Sequence, residues 1–566
     1  MRLPHPALIV LVAAASVLLS GCPSEPDLPK HLTMPKDAGE QPGGNSQDAL
    51  SLTAVELTQA YVDDGAAAAG KYNGKVIEVE GVIKEKSSTE TSCSVDLLGA
   101  DDPSEQYLSE TIVHCPFDDK EIVKPLRVEQ TVKIKGRCFA KVANMVMFTD
   151  CTLLEAGPVP EDAPPEKEPI SEEEAGRRKQ IQAEAVEKLK EMKAGVEEFL
   201  GSAEVGLAEK DFTDDGRIKP EILAELKKLY DFRRLDLTNQ PISDAGLEQL
   251  AELKTLKNLE LVRAGKVTDA GLEHVGKMTG LETLSLEYNP QLTDAGLAHL
   301  KSLRWLEQLT ISPDEFGDPE DQVSKITDAG VAHLAGMTRL KALELPYAKL
   351  TDAGMAALKD MGRLEELDLR ATLIKGPGLE HLGGMRRLKT LNLEESAIGG
   401  EGLQHLAELP VLKFLNLEGT QIGDPDLRKL ARSTGFKRLN LTGTHVTDAG
   451  LIHLIGMTGL DFLLLADTKV SDAGMGTIGT LENLTSLSLR GTQVGDAGME
   501  PLGHLPKLEW LMLVDTSVGD AGLSHLAGVK TLKNLYLSKK SKATEAGVQR
   551  LKFALPDVKI TLSEGY

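Results

Sequence analysis

The sequence predicts a multidomain chain, in which a small all-β barrel precedes a long α/β solenoid of short strands alternating with helices. Three observations carry that prediction. The phrase T-D-A-G-L, as in Thr268-Asp269-Ala270-Gly271-Leu272, returns with weaker copies about thirteen times at steps of 24 or 25 residues, with one step of 34. A second phrase, L-x-x-L-x-L, keeps the same beat from Phe232 and Leu256 to Leu508 and Leu532. Between Ser51 and Glu155 the text instead alternates apolar and polar residues in several short runs, the period of half-buried strands.

At 566 residues the chain has room for several domains or for a core that grows by addition of repeats. Its net charge of −24 argues against phosphate-backbone binding, which needs a basic stripe. The first residues set a compartment. Arg2 gives a positive start, Ala7–Leu18 is apolar but too short to span a membrane as a helix, and Leu19-Ser20-Gly21-Cys22 closes the run. That ending resembles the bacterial lipobox. The resemblance implies that residues 1–21 are a signal peptide and that Cys22 becomes the lipid-bearing first residue. An ordinary secretory peptide is the alternative. No Asp follows Cys22, which in the resembling family favours the outer membrane where a cell has two. Residues 22–50 are rich in Pro, Gly, Ser and charge, and read as a disordered tether.

In the segment 51–155, Leu52–Ala69 reads as a helix with Leu52, Val55, Leu57 and Tyr61 on one stripe. Runs near 76–83, 93–98, 111–117, 131–139 and 145–154 read as five strands. A helix and five short strands suit a small barrel. The phrases A-A-A-A-G-K-Y-N-G-K-V-I-E-V-E-G at Ala66–Gly81, V-K-I-K-G-R-C at Val132–Cys138 and D-C-T-L-L at Asp150–Leu154 resemble the OB-fold module called tRNA-anticodon-binding-like. The resemblance implies a fold and not RNA binding. Single-strand binding needs aromatic platforms in a positive groove, whereas Tyr107, Phe117, Phe139 and Phe148 are scattered among acids. No nucleic-acid partner is expected. The four cysteines Cys93, Cys115, Cys138 and Cys151 all fall here, and an even number in an exported domain predicts two disulfides. Of three connectivities, Cys93–Cys115 and Cys138–Cys151 are favoured because each joins strands adjacent in sequence. The spacing is too wide for a four-cysteine zinc site.

Residues 156–170 hold prolines and acids and read as a stiff linker. Residues 171–230 read as a helical segment and solenoid cap. Ser171–Leu200 has a capping box at Ser171 and Glu174 and apolar positions at helical spacing, and Ile218–Tyr230 is a second helix over the open end of the repeats.

The repeats fill 231–566. One unit, for example Leu484–Lys507, gives a short strand with its leucines inward and then a helix beginning at T-D-A-G-L. Asp persists where Thr becomes Gly, at Gly423, Gly495 and Gly519, which makes Asp the better candidate for the helix cap. The Gly of the phrase permits close packing against the next coil. The unit L-x-x-L-x-L-x-x-T-x-[IV]-T-D-A-G-L resembles the leucine-rich repeat of the ribonuclease-inhibitor-like class, and the repeats of eukaryotic F-box receptors in particular. That resemblance implies a horseshoe with a parallel sheet on the concave face, helices on the convex face, and protein binding. The ubiquitin-ligase role of the F-box relatives does not transfer, because no F-box precedes the repeats.

Residues beside the inward leucines point to the concave face. One column runs through Arg234, Glu366, Phe414, Phe462 and Trp510, and the next through Glu344, Asp368, Leu464, Met512 and Tyr536. Glu344, Glu366, Asp368, Glu394, Glu395 and Glu418 form an acidic centre that would steer a basic partner, or else a solvated face. Phe462, Leu464, Trp510, Met512 and Tyr536 form an apolar patch, with Phe414 nearer the centre. Core packing does not need these side chains, and clustered aromatics favour interfaces; cover by a C-terminal segment is the rival. The acidic insertion at Ser312–Lys325 reads as a solvated loop, lacking the EF-hand spacing. His274, His299, His333, His381, His405, His453 and His525 repeat one helix position, and a copied consensus residue explains them without a metal. No nucleophile elbow, P-loop or H-E-x-x-H motif is present, so no catalytic residue, metal or cofactor is expected. The sequence thus points to a lipid-anchored binding protein of the cell envelope, against the alternative of an envelope spacer with no discrete ligand.

Overall fold

A computed structural model describes residues 50–563 apart from short gaps, the longest being 103–108, 158–171 and 314–323. The leader with Cys22, the tether up to residue 49, the linker from residue 158 and most of the acidic insertion lie outside the described residues. The chain divides into two compact units, Met1–Lys167 and Glu168–Tyr566.

The first unit is a closed β-sheet. Its strands are β1 (Leu50–Thr53), β2 (Val76–Ser88), β3 (Cys93–Asp102), β4 (Ser109–Phe117), β5 (Thr131–Val142) and β6 (Met145–Ala156), in the order β1-β2-β3-β4-β6-β5. Antiparallel pairing of β2 with β5 closes the ring, and β4 runs parallel to β6. Ile77, Val79, Ile83, Val95, Leu97, Val113, Ile134, Val146 and Phe148 fill the interior. Closure removes the exposed edges that a small sheet would otherwise present.

Here two expectations change. The single helix over Leu52–Ala69 is instead β1, α1 (Ala54–Asp63) and α2 (Gly65–Tyr72). Thr53 starts α1 with a reciprocal cap: its Oγ1 accepts from the Glu56 N–H at 3.1 Å, and Glu56 Oε2 accepts from the Thr53 N–H at 2.8 Å. Just before that cap, Leu50–Thr53 pairs in parallel with Ile77–Glu80.

The predicted disulfides are also corrected, since Cys115, Cys138 and Cys151 are not joined in any disulfide. Register gives the reason. Cys115 lies opposite Val95, and Cys93 opposite Phe117, so the two cysteines are diagonal neighbours. Diagonal positions stand about 7–8 Å apart, beyond the usual reach of a disulfide of about 4.4–6.8 Å between Cα atoms. Cys138 lies opposite Phe148, with β6 bulged against β5, and its thiol turns to the Tyr61 hydroxyl at 3.4 Å. Burial pushes the Cys138 thiol up, so it is an unreactive core group.

The second unit opens with α3 (Glu172–Glu191) and an antiparallel hairpin, β7 (Gly195–Phe199) and β8 (Ser202–Gly206). The helix expected to reach Leu200 thus ends well short of it. Lys193 takes a left-handed turn at φ 61°, and the residues after it alternate, so that Ala203 and Val205 are buried between polar neighbours. The hairpin lays β8 parallel to the first repeat strand, β9 (Phe232–Asp236), and covers its edge. The short helix α4 (Pro220–Leu226) falls within the predicted second helix.

From there the strands add one per repeat: β10 (Asn258–Glu260), β11 (Thr283–Leu286), β12 (Gln308–Ile311), β13 (Ala342–Glu344), β14 (Glu366–Asp368), β15 (Thr390–Asn392), β16 (Phe414–Asn416), β17 (Arg438–Asn440), β18 (Phe462–Leu464), β19 (Ser486–Ser488), β20 (Trp510–Leu513), β21 (Asn534–Ser538) and β22 (Lys559–Ser563). With β7 and β8 they make one sheet of sixteen strands among the described residues, parallel throughout except the hairpin. Leu235, Leu259, Leu284, Leu309 and their successors align across the sheet and are fully buried against the helical layer.

The helix starts correct a detail. Thr or Ser, not Asp, caps its own helix: Thr268 Oγ1 accepts from the Ala270 N–H, as Thr293, Thr327, Thr447 and Ser471 do in their repeats. The Asp belongs to the following coil. Asp269 Oδ1 accepts from the Thr293 N–H at 2.9 Å, while its Oδ2 accepts from the Thr293 hydroxyl at 2.6 Å. The same pair of bonds links Asp294 to Thr327, Asp424 to Thr447 and Asp448 to Ser471. This is why Gly recurs in the phrase. A Cβ on Gly296 would stand 2.4 Å from Asp269 Oδ1.

Candidate functional site

The outward face of the parallel sheet reads in three zones. Near its N-terminal end the charges pair with one another. Arg234 Nε and Nη2 donate to the two carboxylate oxygens of Glu260 at 2.7 and 2.8 Å, and Asp236 and Glu204 stand within 4 Å of the same guanidinium. A two-pronged pair of this kind consumes the donors that a ligand would need.

The middle zone, β13 to β16, is acidic and poorly compensated. Glu344, Glu366 and Asp368 lie on adjacent strands, with Glu344 directly opposite Asp368. Glu394 and Glu418 follow at the strand ends. Burial raises the Glu344 carboxyl to about 7, with help from Asp368, Glu287 and Glu366 and opposition from Arg370. Burial likewise lifts Glu394 to about 7, reinforced by Glu418. Asp368 is raised by burial, against the Arg370 guanidinium at 3.4 Å and the Arg370 N–H at 3.0 Å. Desolvated like charges, opposed here by Arg370, disfavour the ionised forms.

Two asparagines fix the orientation of part of this zone. Asn416 Nδ2 donates to Glu394 Oε2 at 3.0 Å, and Asn440 Nδ2 to Glu418 Oε2 at 2.9 Å. The same asparagines turn their oxygens to the chain, accepting the N–H groups of Glu418 and Thr442. Glu395 stands apart: it is exposed and takes the left-handed turn position at φ 52°.

The third zone is apolar and spans β18 to β21. Phe462 and Leu464 are half-buried on β18, and Trp510 and Met512 are half-buried on β20. Between them β19 presents only Ser486 and Ser488, each directly opposite these neighbours. Small side chains flanked by large ones leave a trough about two strand spacings, roughly 10 Å, across. Tyr536 extends the far wall; it lies opposite Met512, and its ring centroid is 5.4 Å from that of Trp510. The last strand, β22, continues the sheet beside β21, with Thr561 opposite Tyr536.

The five apolar residues expected together are therefore neighbours, whereas Phe414 is separated from Phe462 by Arg438. Glu287 and Arg370 are members of the acidic zone that the two sequence columns miss. They occupy a third outward position, two residues beyond the second column, and counting one step further along each repeat would have found them. Among the described residues, no group of three or more His, Cys, Asp or Glu is arranged to hold a metal ion. In the first unit, Phe117 and Phe148 are buried in the core and offer no stacking surface, while Tyr107 lies outside the described residues.

The first unit is an OB-like closed β module, and the second is a solenoid of parallel strands and helices of the leucine-rich-repeat kind. Family comparison agrees: residues 3–152 match the tRNA_anti-like family, and residues 408–431 and 480–503 match the Leucine Rich repeat family. No curated protein matches the chain. Among solved structures, an internalin (inlF) from Listeria monocytogenes is 23% identical, over 55% of this chain and 86% of that one, with a TM-score of 0.42. The plant peptide hormone receptor RGFR1, solved in complex with RGF2, is 14% identical over 60% of each chain, with a TM-score of 0.36. The ectodomain of the Arabidopsis receptor kinase HAESA, solved with a peptide hormone ligand, is 16% identical over 61% of this chain and 67% of that one, with a TM-score of 0.33.

Proposed function

We propose that this chain is a lipid-anchored, extracytoplasmic binding protein that holds a protein ligand on the concave face of its repeats. The observation that carries the reading is the half-buried apolar trough of Phe462, Leu464, Trp510, Met512 and Tyr536, on strand positions that the leucine core does not use. Aromatic clusters of this kind anchor protein interfaces, and the acidic zone beside it favours a basic partner. The lipobox-like ending at Cys22 supports attachment to a membrane by acyl chains, with the cell envelope as the site of action and the outer membrane favoured in a two-membrane cell.

Affinity capture from detergent-solubilised envelopes tests the reading, with wild-type protein compared with a Phe462→Ser, Trp510→Ser double variant of equal helicity and melting behaviour. A partner retained by the first and lost by the second supports it. Equal capture by both removes the trough from the site. Capture of no partner by either favours a spacer role in the envelope. Anchoring is tested by Cys22→Ala, which abolishes incorporation of labelled fatty acid and releases the protein from the membrane fraction.

A further inference from the structure

We infer that the acidic zone and the apolar trough are two halves of one site for an extended polypeptide segment with a basic cluster and a bulky apolar residue about seven positions apart. The inference rests on the binding function proposed above and adds the chemistry and spacing of the ligand.

Geometry sets the spacing. Asp368 and Asn392 mark the middle of the acidic zone on β14 and β15, and Trp510 lies on β20, five strands from β15 in an uninterrupted sheet. Parallel neighbours stand about 4.8 Å apart, so the halves are roughly 24 Å apart, which an extended chain at about 3.3 Å per residue crosses in about seven residues. Between the halves, Asn416 and Asn440 are buried and Phe414 is half-buried, so these side chains stand low on the sheet. Arg438 is the one cation in the first outward column between Glu366 and Trp510.

Charge complementarity identifies the basic half. Asp368, Glu287 and Glu366 press on Glu344, and Glu418 with Asp368 presses on Glu394, while the Arg370 guanidinium opposes the rise of both. Asn416 and Asn440 hold one oxygen each of Glu394 and Glu418, so these acceptors are already oriented. Orientation before binding lowers the cost of ordering on association. A lysine or arginine brought into this zone supplies the missing positive charge. The trough identifies the other half: its walls are aromatic or aliphatic on both sides of a serine floor, and a flat ring or a leucine fills such a slot.

The test uses synthetic peptides in Gly-Ser backbones carrying two lysines and one tryptophan, separated by about three, seven or eleven residues, with the full chain as receptor. The seven-residue peptide is expected to bind at least about tenfold more tightly than a peptide with tryptophan alone. Glu344→Gln with Glu394→Gln should erase that gain and leave the tryptophan-only affinity unchanged. Since Glu344 and Glu394 ionise near 7, the gain should also grow between pH 6 and pH 8. Equal binding at all three spacings, no effect of the double Gln variant, or no binding of any peptide overturns the two-part site. If lysine contributes nothing while tryptophan binding is lost in Trp510→Ser, the two-part site falls and the apolar docking surface stands.

Discussion

At the residue scale, Glu344 and Glu394 are the most informative side chains. Each has an ordinary carboxyl value of 4.5 and is raised to about 7 in the folded chain. An acid raised on folding binds more protons in the native state between those values. Its effect therefore favours folding at low pH and is lost as pH rises from about 4.5 through about 7. Replacing both with Gln is expected to raise the melting midpoint at pH 8 and to leave it nearly unchanged at pH 4, read by circular dichroism. An equal change at both pH values would assign the effect to amide packing instead of charge. The cysteines give a second check. Alkylation of the denatured chain without reductant should label Cys115, Cys138 and Cys151, and protection of any of them would restore the disulfide expectation. Both patches were legible in the sequence because strand alternation fixes which residues leave the core. The linkage between cysteines was not, because parity of number says nothing about register.

At the scale of elements, the contact between successive helix starts decides how closely coils stack. Asp424 accepts from Thr447 N–H at 2.7 Å, and a Cβ on Gly450 would fall 2.4 Å from the same Asp424 Oδ1. Gly450→Ala should therefore destabilise the chain through displacement of that carboxylate. Asp424→Ala leaves the Thr447 donors unpaired, at a cost of about 1–3 kcal/mol. The double variant should cost clearly less than the sum, because the clash disappears with the carboxylate. Additive losses in urea unfolding would show that the glycine serves some other purpose. The spacing of the repeat phrase made strands and helices readable along the solenoid, whereas the β7–β8 hairpin was hidden. Its apolar residues, Val196 and Phe199, happen to continue the helical spacing of Leu189 and Met192. Only the pairing of β8 with β9, a contact distant in sequence, reveals the strand.

At the scale of the molecule, a linear array of repeats unfolds together only while each interface is strong enough to couple its neighbours. Two tryptophans report on this from opposite sides of the centre, Trp305 before β12 and Trp510 on β20. Single-tryptophan versions should show coincident urea transitions in the native background. Leu415→Ala with Leu439→Ala, at fully buried positions on β16 and β17, removes about 2–5 kcal/mol per site. The two transitions should then separate, and continued coincidence would mean that coupling survives the loss.

The aspartate that a coil offers to its successor gives the array a direction. Thr293, Thr327, Thr351, Thr447, Ser471 and Thr544 each take their acceptor from a coil synthesised earlier, and none of them waits for one made later. Shortening the array from its C-terminal end at such a junction would leave a spare carboxylate, which water solvates at little cost. Shortening it from the N-terminal end would leave a Thr N–H and hydroxyl without their acceptor. The solenoid should thus tolerate loss from one end better than from the other, and a chain emerging N-terminus first would meet, at each of these coils, a partner that is already folded.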